Sequence, residues 1–172
     1  MGYSLWLEDK ETGLICKSKR KRVDLGSRLA IGGSDLLEFD ITYNYAPYYN
    51  KAVGFQEKGI RTIYGMSGKD SLPLLNKLRK DIEDRFTDGN DNWIKTTRTE
   101  RVSYYNGKKI DILEAFDLIN QGEKVEIREE LVEIDEGDNS NYWKGTASNA
   151  YIAILELMSM ARECQEGIWN GD

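Results

Sequence analysis

The clearest alternation of apolar and polar positions runs over residues 36–44, LLEFDITYN. Leu37, Phe39, Ile41 and Tyr43 share one face of a strand, and Glu38, Asp40, Thr42 and Asn44 the other. A shorter alternation, YSLWL at 3–7, passes through the turn cluster EDKETG into LICKSK, the pattern of a strand, a hairpin turn and a second strand. Pro47 ends the long strand and, with its fixed φ, opens a short helix in PYYNKAVGF. The β-branched stretch 60–64 lies between glycines and reads as a strand or a shaped loop. Helical spacing takes over at Leu72, Leu75, Leu78, Ile82 and Phe86 and predicts a helix over 71–86. Pro73 is tolerated only near its start, which puts the N-cap at Asp70 or Ser71.

Loop composition returns in TDGNDN at 87–92, followed by the β-formers of WIKTTRTERVSYY and an Asn-Gly turn signal at 106–107. Asp111 and Glu114 then form a capping box, with Ile110 and Ala115 at the staple positions. The helix they start has Ile112, Phe116 and Ile119 as its apolar face and Gly122 as its stop. KVEI reads as a strand, and the acidic REELVEIDEGDNSN passes into a loop. The last helix, over 146–165, is apolar nearly all round: between Ala150 and Ala161 only Glu156 and Ser159 are polar. Such a helix is buried, either in its own fold or in an oligomer, and a homodimer is one way to bury it. Gly167 is expected just past its end, and Trp143 and Trp169 are expected to clamp it against the sheet. The order of elements indicates an α+β fold: a small antiparallel sheet packed with two or three helices, in a single domain over 1–172. An inserted strand–helix–strand segment is expected at about 88–140.

Composition narrows the chemistry. The 172 residues are 40% hydrophobic and 31% charged, as in an ordinary globular domain. No apolar run reaches the ~18–20 residues of a membrane span. The start, MGYSLWLEDKETG, lacks the pattern of a signal peptide, and Trp6 stands where a myristoylation signal wants Ser or Thr. A cytoplasmic protein with no membrane partner is therefore expected. Cys16 and Cys164 sit at opposite ends of the chain without metal spacing and are expected as reduced thiols. The chain has no histidine, which excludes Ser-His-Asp and Cys-His nucleophile systems and every His-containing zinc site. No cofactor and no metal site is expected. The net charge of −6 argues against nucleic acid as a partner for the molecule as a whole.

Several clusters could carry a function. The stretch ITYNYAPYY at 41–49 holds Tyr43, Asn44, Tyr45, Tyr48 and Tyr49. Strand alternation can bury Tyr43 but not all four rings, so at least one of Tyr45, Tyr48 and Tyr49 is expected to face outward, as in a ligand pocket or interface anchor. KGIRTIYG sets Arg61 near Tyr64 between glycines, a pairing suited to holding a phosphate or carboxylate just before a helix N-terminus. Trp143 is a further candidate pocket wall. Lys17, Lys19, Arg20, Lys21 and Arg22 form the one basic run, which could touch phosphates, lie in solvent as a loop, or shield an edge strand. Glu38 and Asp40 share a strand face and could act as an acid/base pair, and Asp135, Glu136 and Asp138 could meet a hard cation without EF-hand spacing.

Four stretches in order, LEFDITYNYAPYY, GIRTIYGMSGKDSLPLL, NYWKGTASNAYIAILELM and GIWNGD, resemble a family of uncharacterised phage and prophage-type proteins of bacteria. The resemblance covers about half the chain and includes Thr42, Tyr43, Asn44, Tyr45, Gly59, Ile60, Arg61, Tyr64, Gly65, Tyr142, Trp143, Asn149, Gly167, Trp169, Gly171 and Asp172. Family members are usually shorter and run directly from the first helix to the YW segment; the 88–140 piece and KSKRKR depart from them. The resemblance implies a mobile-element accessory protein in a bacterial cytoplasm and assigns no catalytic residue. The leading expectation is a non-catalytic binder, partnered by a host bacterial protein or a small phosphorylated ligand. It would antagonise a defence protein or sequester its nucleotide signal. The alternatives are a carboxylate- and tyrosine-based enzyme acting on a nucleotide or sugar, and a nucleic-acid binder working through residues 17–22.

Overall fold

The structure, a computed structural model, describes residues 2–18 and 35–172. In chain order its elements are β1 (Gly2–Glu8), β2 (Glu38–Thr42), α1 (Ala46–Tyr49), α2 (Gly68–Phe86), β3 (Lys95–Tyr105), β4 (Lys108–Ile110), α3 (Ile112–Asn120), β5 (Glu126–Asp135), α4 (Ala147–Glu163) and β6 (Ile168–Gly171). Short 3-10 turns cover Tyr43–Tyr45 and Gly59–Ile63. The fold is α+β, with two three-stranded antiparallel sheets ordered β2-β1-β6 and β4-β3-β5. The chain divides into two compact units: Met1–Ile94 with Glu136–Asp172, and Lys95–Asp135. The second unit is narrower than the 88–140 segment read from composition, because residues 87–94 fold back on α2. Thr87 bridges Trp93, and the Ile94 N–H donates to Phe86 O at 3.0 Å.

In the first unit β1 is the central strand, and its alternation sets the two faces of the sheet. Leu5 lies opposite Phe39, Tyr3 opposite Ile41, and Leu7 opposite Trp169. Leu5, Leu7, Phe39, Ile41 and Trp169 are buried, while Ser4, Trp6, Glu38, Asp40 and Asn170 stand on the other, more open face. The core continues into Leu75, Leu78 and Ile82 of α2 and Ala150, Ile154, Leu157 and Ala161 of α4. The nearly all-apolar α4 therefore finds most of its cover inside its own chain, packed on α2, while Leu155 stays 41% exposed. Trp169 is fully buried and donates its indole N–H to Ser71 Oγ at 2.8 Å.

Two element boundaries differ from expectation, each for a local reason. β2 ends at Thr42 and not at Asn44, because the Thr42 hydroxyl accepts the Asn44 N–H at 3.3 Å and turns the chain into a 3-10 helix. α2 starts at Gly68, with Ser67 as N-cap, ahead of Asp70. The Ser67 hydroxyl accepts the Asp70 N–H at 3.1 Å, and the Gly68 and Lys69 N–H groups donate to Gly167 O and Gln165 O. With those free donors satisfied by another segment, the helix gains a turn ahead of Pro73. Trp143 is no clamp: it is 55% exposed, and its neighbour Tyr142 takes the buried position. Among the described residues, the expected second arm of the first hairpin forms isolated bridges and no full strand, Glu8 pairing with Ile15 and Lys17 with Leu36. The cysteines also differ from expectation. The hairpin and the end of α4 bring their Cα atoms to 6.8 Å across a separation of 148 residues, and Cys16 and Cys164 are joined as a disulfide.

The second unit is a β-ribbon with one short helix. β3 pairs with β5 from Lys95 opposite Asp135 to Tyr104 opposite Glu126. Asn106 and Gly107 turn β3 into β4 with φ of 49° and 75°, as a two-residue hairpin of the primed type requires. Asp111 caps α3 through the Glu114 N–H at 2.9 Å. The strand expected at KVEI runs on through the acidic stretch to Asp135, with the expected loop following it at 136–141. Its carboxylates meet cross-strand cations, Lys95 with Glu133 at 2.8 Å and Arg101 with Glu129 at 3.9 Å, so the ladder does not suffer unrelieved repulsion. The Glu136 N–H, just after this unit, donates to Ile94 O, just before it, at 3.1 Å. Among the described residues no helix is long and apolar enough to cross a membrane.

Candidate functional site

Tyrosines 43, 45, 48 and 49 are placed by the 3-10 turn and α1 that follow β2. The expected assignment is reversed: Tyr43 is 40% exposed, and Tyr45, Tyr48 and Tyr49 are all buried. Once the chain leaves β geometry at Thr42, side chains advance by about 100–120° per residue and not 180°. Positions 45, 48 and 49 then stand at i, i+3 and i+4 and share the inner face. Their hydroxyls are structural. Tyr45 donates to Tyr142 O, and Tyr49 to Ala150 O at 3.2 Å. The Tyr48 hydroxyl lies 2.8 Å from Glu136 Oε2 and 2.7 Å from Gly145 O, one proton serving two acceptors. Burial pushes the Tyr49 phenol well above its ordinary range, which keeps it a hydrogen-bond donor. The three rings thus hold the approach to α4, whose Ala147 N–H donates to the same Glu136 carboxylate at 2.8 Å.

Glu136 is accordingly a buried strut and not an open cation ligand. Among the described residues no three His, Cys, Asp or Glu side chains converge as metal ligands. Glu38 and Asp40 stand on the outer face of the first sheet, where Ser4 Oγ donates to Asp40 Oδ1. They do not line the groove that holds Arg61. Lys17 is exposed and lies 3.7 Å from Asp35. Lys19, Arg20, Lys21 and Arg22 lie outside the described residues.

Recognition chemistry does gather on one outer surface of the first unit. The ring of Tyr3 meets Tyr43 edge-on at 4.4 Å, and the Arg61 guanidinium lies 4.8 Å over the Tyr3 ring. Arg61 Nη2 donates to the backbone oxygen of Asp172 at 3.2 Å, and the Tyr64 hydroxyl lies 3.4 Å from the same oxygen. Gly171 allows this approach, since a Cβ there would collide with the Tyr64 hydroxyl and with Ser4 O. Partial burial raises the Tyr64 phenol above its ordinary value, against the opposing pull of Arg61. An open groove of about 460 Å³ runs between Tyr3, Asn50, Glu57, Lys58, Gly59, Arg61, Thr62 and Tyr64. Gly59 holds a φ of +54° and leaves room for the Asn50 amide, which a Cβ would displace.

The groove offers two cations, two tyrosines, an amide and the Thr62 hydroxyl, with Glu57 as its one carboxylate. Of the residues read from sequence, it gathers Arg61 and Tyr64, and Tyr43 joins its rim through Tyr3. Asn44 and Trp143 form a separate exposed edge, where the Asn44 amide donates to Trp143 O at 2.6 Å and Trp143 packs on Tyr142. Tyr3, Asn50 and Glu57 were not singled out by sequence. Tyr3 carried a signal, since pairing the two alternating strands brings it beside the end of the second; Asn50 and Glu57 carried none. No protein-family model, curated protein or solved structure matches the chain.

Proposed function

We propose that this protein acts by non-catalytic binding, holding a small phosphorylated ligand with an aromatic base in the groove at Arg61. The carrying observation is the Arg61 guanidinium over Tyr3, with Lys58, Asn50, Thr62 and Tyr64 around one open space. Arg61 and Lys58 supply charge for a phosphate, and the Tyr64 ring and the guanidinium plane that Arg61 lays over Tyr3 supply faces for a base. In the setting that the phage-type resemblance implies, such a protein withholds a nucleotide signal from a bacterial defence system.

The test is a thermal-shift and calorimetric screen of mono-, di- and cyclic nucleotides, with chromatography of the ligand after incubation. A ligand that binds the folded chain raises its midpoint in proportion to occupancy. The expected result is a shift with at least one nucleotide, weakened about tenfold or more by Arg61→Ala or Tyr3→Ala, with the ligand recovered intact. No shift with any nucleotide, or conversion of the ligand to product, sinks this reading. A second reading, inhibition of a host protein, is supported by a different observation: large apolar side chains stand exposed on the Lys95–Asp135 unit.

A further inference from the structure

The chain's two cysteines join the first hairpin to the end of α4. Both line an open cleft of about 770 Å³, with Thr12 and Ile15 on the hairpin side and Arg162 and Gln165 on the helix side. Cys16 is buried and Cys164 half-buried, so Cys164 is the sulfur that a small thiol reaches first. A disulfide open to reagents exchanges more readily than an enclosed one. The fold does not hang on this bond, because α2 and α4 pack through the apolar burial of Leu75, Leu78, Ile154 and Leu157.

The same bond reaches the groove through β6. Gly167 lies against both sulfurs: a Cβ there would stand 2.6 Å from Cys164 Sγ and 3.0 Å from Cys16 Sγ. Beyond it, β6 is a four-residue strand at the edge of its sheet. Its register on β1 sets Trp169 beside Leu7, and Leu7 O accepts the Cys16 N–H at 2.7 Å. The disulfide therefore closes a ring, Leu7 to Cys16 to Cys164 to Trp169, that fixes β6 on β1. At the far end of β6, Asp172 O accepts from Arg61 Nη2, and Asp172 Oδ1 accepts the Ser4 N–H at 2.9 Å. With the ring opened, β6 keeps its pairs with β1 and two bonds to the segment before α2. These run from the Gly65 N–H to Trp169 O and from the Trp169 N–H to Met66 O, each at 2.9 Å. Short edge elements of this kind open at lower free energy than the core beside them.

We infer that Cys16 and Cys164 form a reversible thiol–disulfide switch that sets how firmly β6 holds Asp172, and through it Arg61, at the groove. A small thiol, as its thiolate, attacks Cys164 Sγ. A mixed disulfide forms there, the Cys16–Cys164 bond breaks, and Cys16 leaves as a thiolate that takes up the proton. A second molecule of the thiol attacks the mixed disulfide and releases Cys164. Two small thiols are thus oxidised to one disulfide while the protein's disulfide is reduced to two thiols. In the oxidised chain Arg61 is already laid over Tyr3, so a ligand has less to order on binding. That consequence for affinity rests on the nucleotide reading of the groove; the effect on β6 does not.

The test equilibrates the full chain in glutathione buffers of rising reduced-to-oxidised ratio and counts free thiols by alkylation and mass spectrometry. Backbone order parameters by NMR, and titrations with mono-, di- and cyclic nucleotides, are then compared between the two states. The bond should open and re-form with the fold intact. Order parameters over Ile168–Gly171 should fall from about 0.85 toward about 0.6 on reduction, while those of α2 hold. Nucleotide affinity should fall about fivefold. The double variant Cys16→Ser with Cys164→Ser should match the reduced chain in every buffer. A pair that stays reduced in oxidised glutathione, or oxidised in reduced glutathione, overturns the switch, as does a chain that unfolds on reduction. Unchanged order parameters in β6 overturn it too, and so does equal nucleotide affinity in the two states. If β6 loosens on reduction and no nucleotide binds in either state, the switch stands and the nucleotide reading falls.

Discussion

The two sheets of this chain have the same three-stranded antiparallel plan and treat their apolar residues in opposite ways. Around β1, one face carries Leu5, Leu7, Phe39, Ile41 and Trp169, all buried in a core that α2 and α4 share. Around β3, two apolar side chains of the whole unit are buried, Val102 and Ala115, while Ile112, Leu113, Phe116, Ile119, Ile127 and Leu131 stand in water. The difference lies in the cover. Two long helices can close one face of a small sheet; the nine residues of α3 cannot. What holds the second sheet is cross-strand pairing, and the six large apolar side chains just named are left exposed.

The largest test of this contrast is a pair of aromatic deletions. Trp169→Ala removes a fully buried ring and its bond to Ser71 and should cost about 3–5 kcal/mol, measured by urea unfolding. Phe116→Ala, at an exposed position, should stay within about 0.5 kcal/mol. Equal losses would break the comparison. Next is the covalent tie, which belongs to the first unit alone. Cys16→Ser should remove roughly 2–4 kcal/mol under oxidising conditions, and reductant should abolish the difference between the variant and the parent chain.

Hydroxyl deletions sharpen the contrast further. Tyr48→Phe strips a buried donor from Glu136 and Gly145 O and should cost roughly 1–3 kcal/mol. Tyr104→Phe removes a bond to Glu130 near solvent and should leave the unfolding midpoint unchanged. The smallest effect concerns acid. The Lys144 ammonium, then the donors of Ser140, hold the Asp138 carboxyl well below the usual carboxylate range, and Arg128 lowers Glu126 in the second unit. A depressed folded value stabilises above the unfolded pKa, about 4, and the gain disappears as pH falls toward the folded value. The midpoint difference between the parent chain and Asp138→Asn should therefore be complete at pH 7 and shrink below about pH 4. Carboxylate titration by NMR should place Asp138 below Glu126.

Periodicity made the helices legible. The spacing of Leu75, Leu78 and Ile82 marks α2, and the Asp111–Glu114 box marks the start of α3. The α+β class followed from the order of such elements. The tyrosines misled because the strand period was carried one turn too far. The i, i+3, i+4 spacing of Tyr45, Tyr48 and Tyr49 was present beside Pro47, but only the Thr42 side-chain bond shows where the strand yields to it. The acidic stretch does pass into a loop after Asp135, but the length of the strand before it was hidden because its compensating cations lie far back in the chain, on β3. Arg61 and Tyr64 were visible as residues that could hold an anion. Their meeting with Tyr3 and Asp172 was not, since it depends on the register of β1 between β2 and β6.

The single backbone hydrogen bond from the Glu136 N–H to Ile94 O has a consequence for how such a chain can be edited. The two ends of the 41-residue excursion Lys95–Asp135 are already neighbours, so the rest of the fold experiences the excursion as one loop joining adjacent points. Loop length affects closure entropy only logarithmically, so the host fold is nearly indifferent to what the loop contains. The junction therefore works as a cassette slot. A tight Asn-Gly turn should close it, a different ribbon should fit it, and the hydroxyl-braced α4 and the Arg61 groove should persist through either exchange.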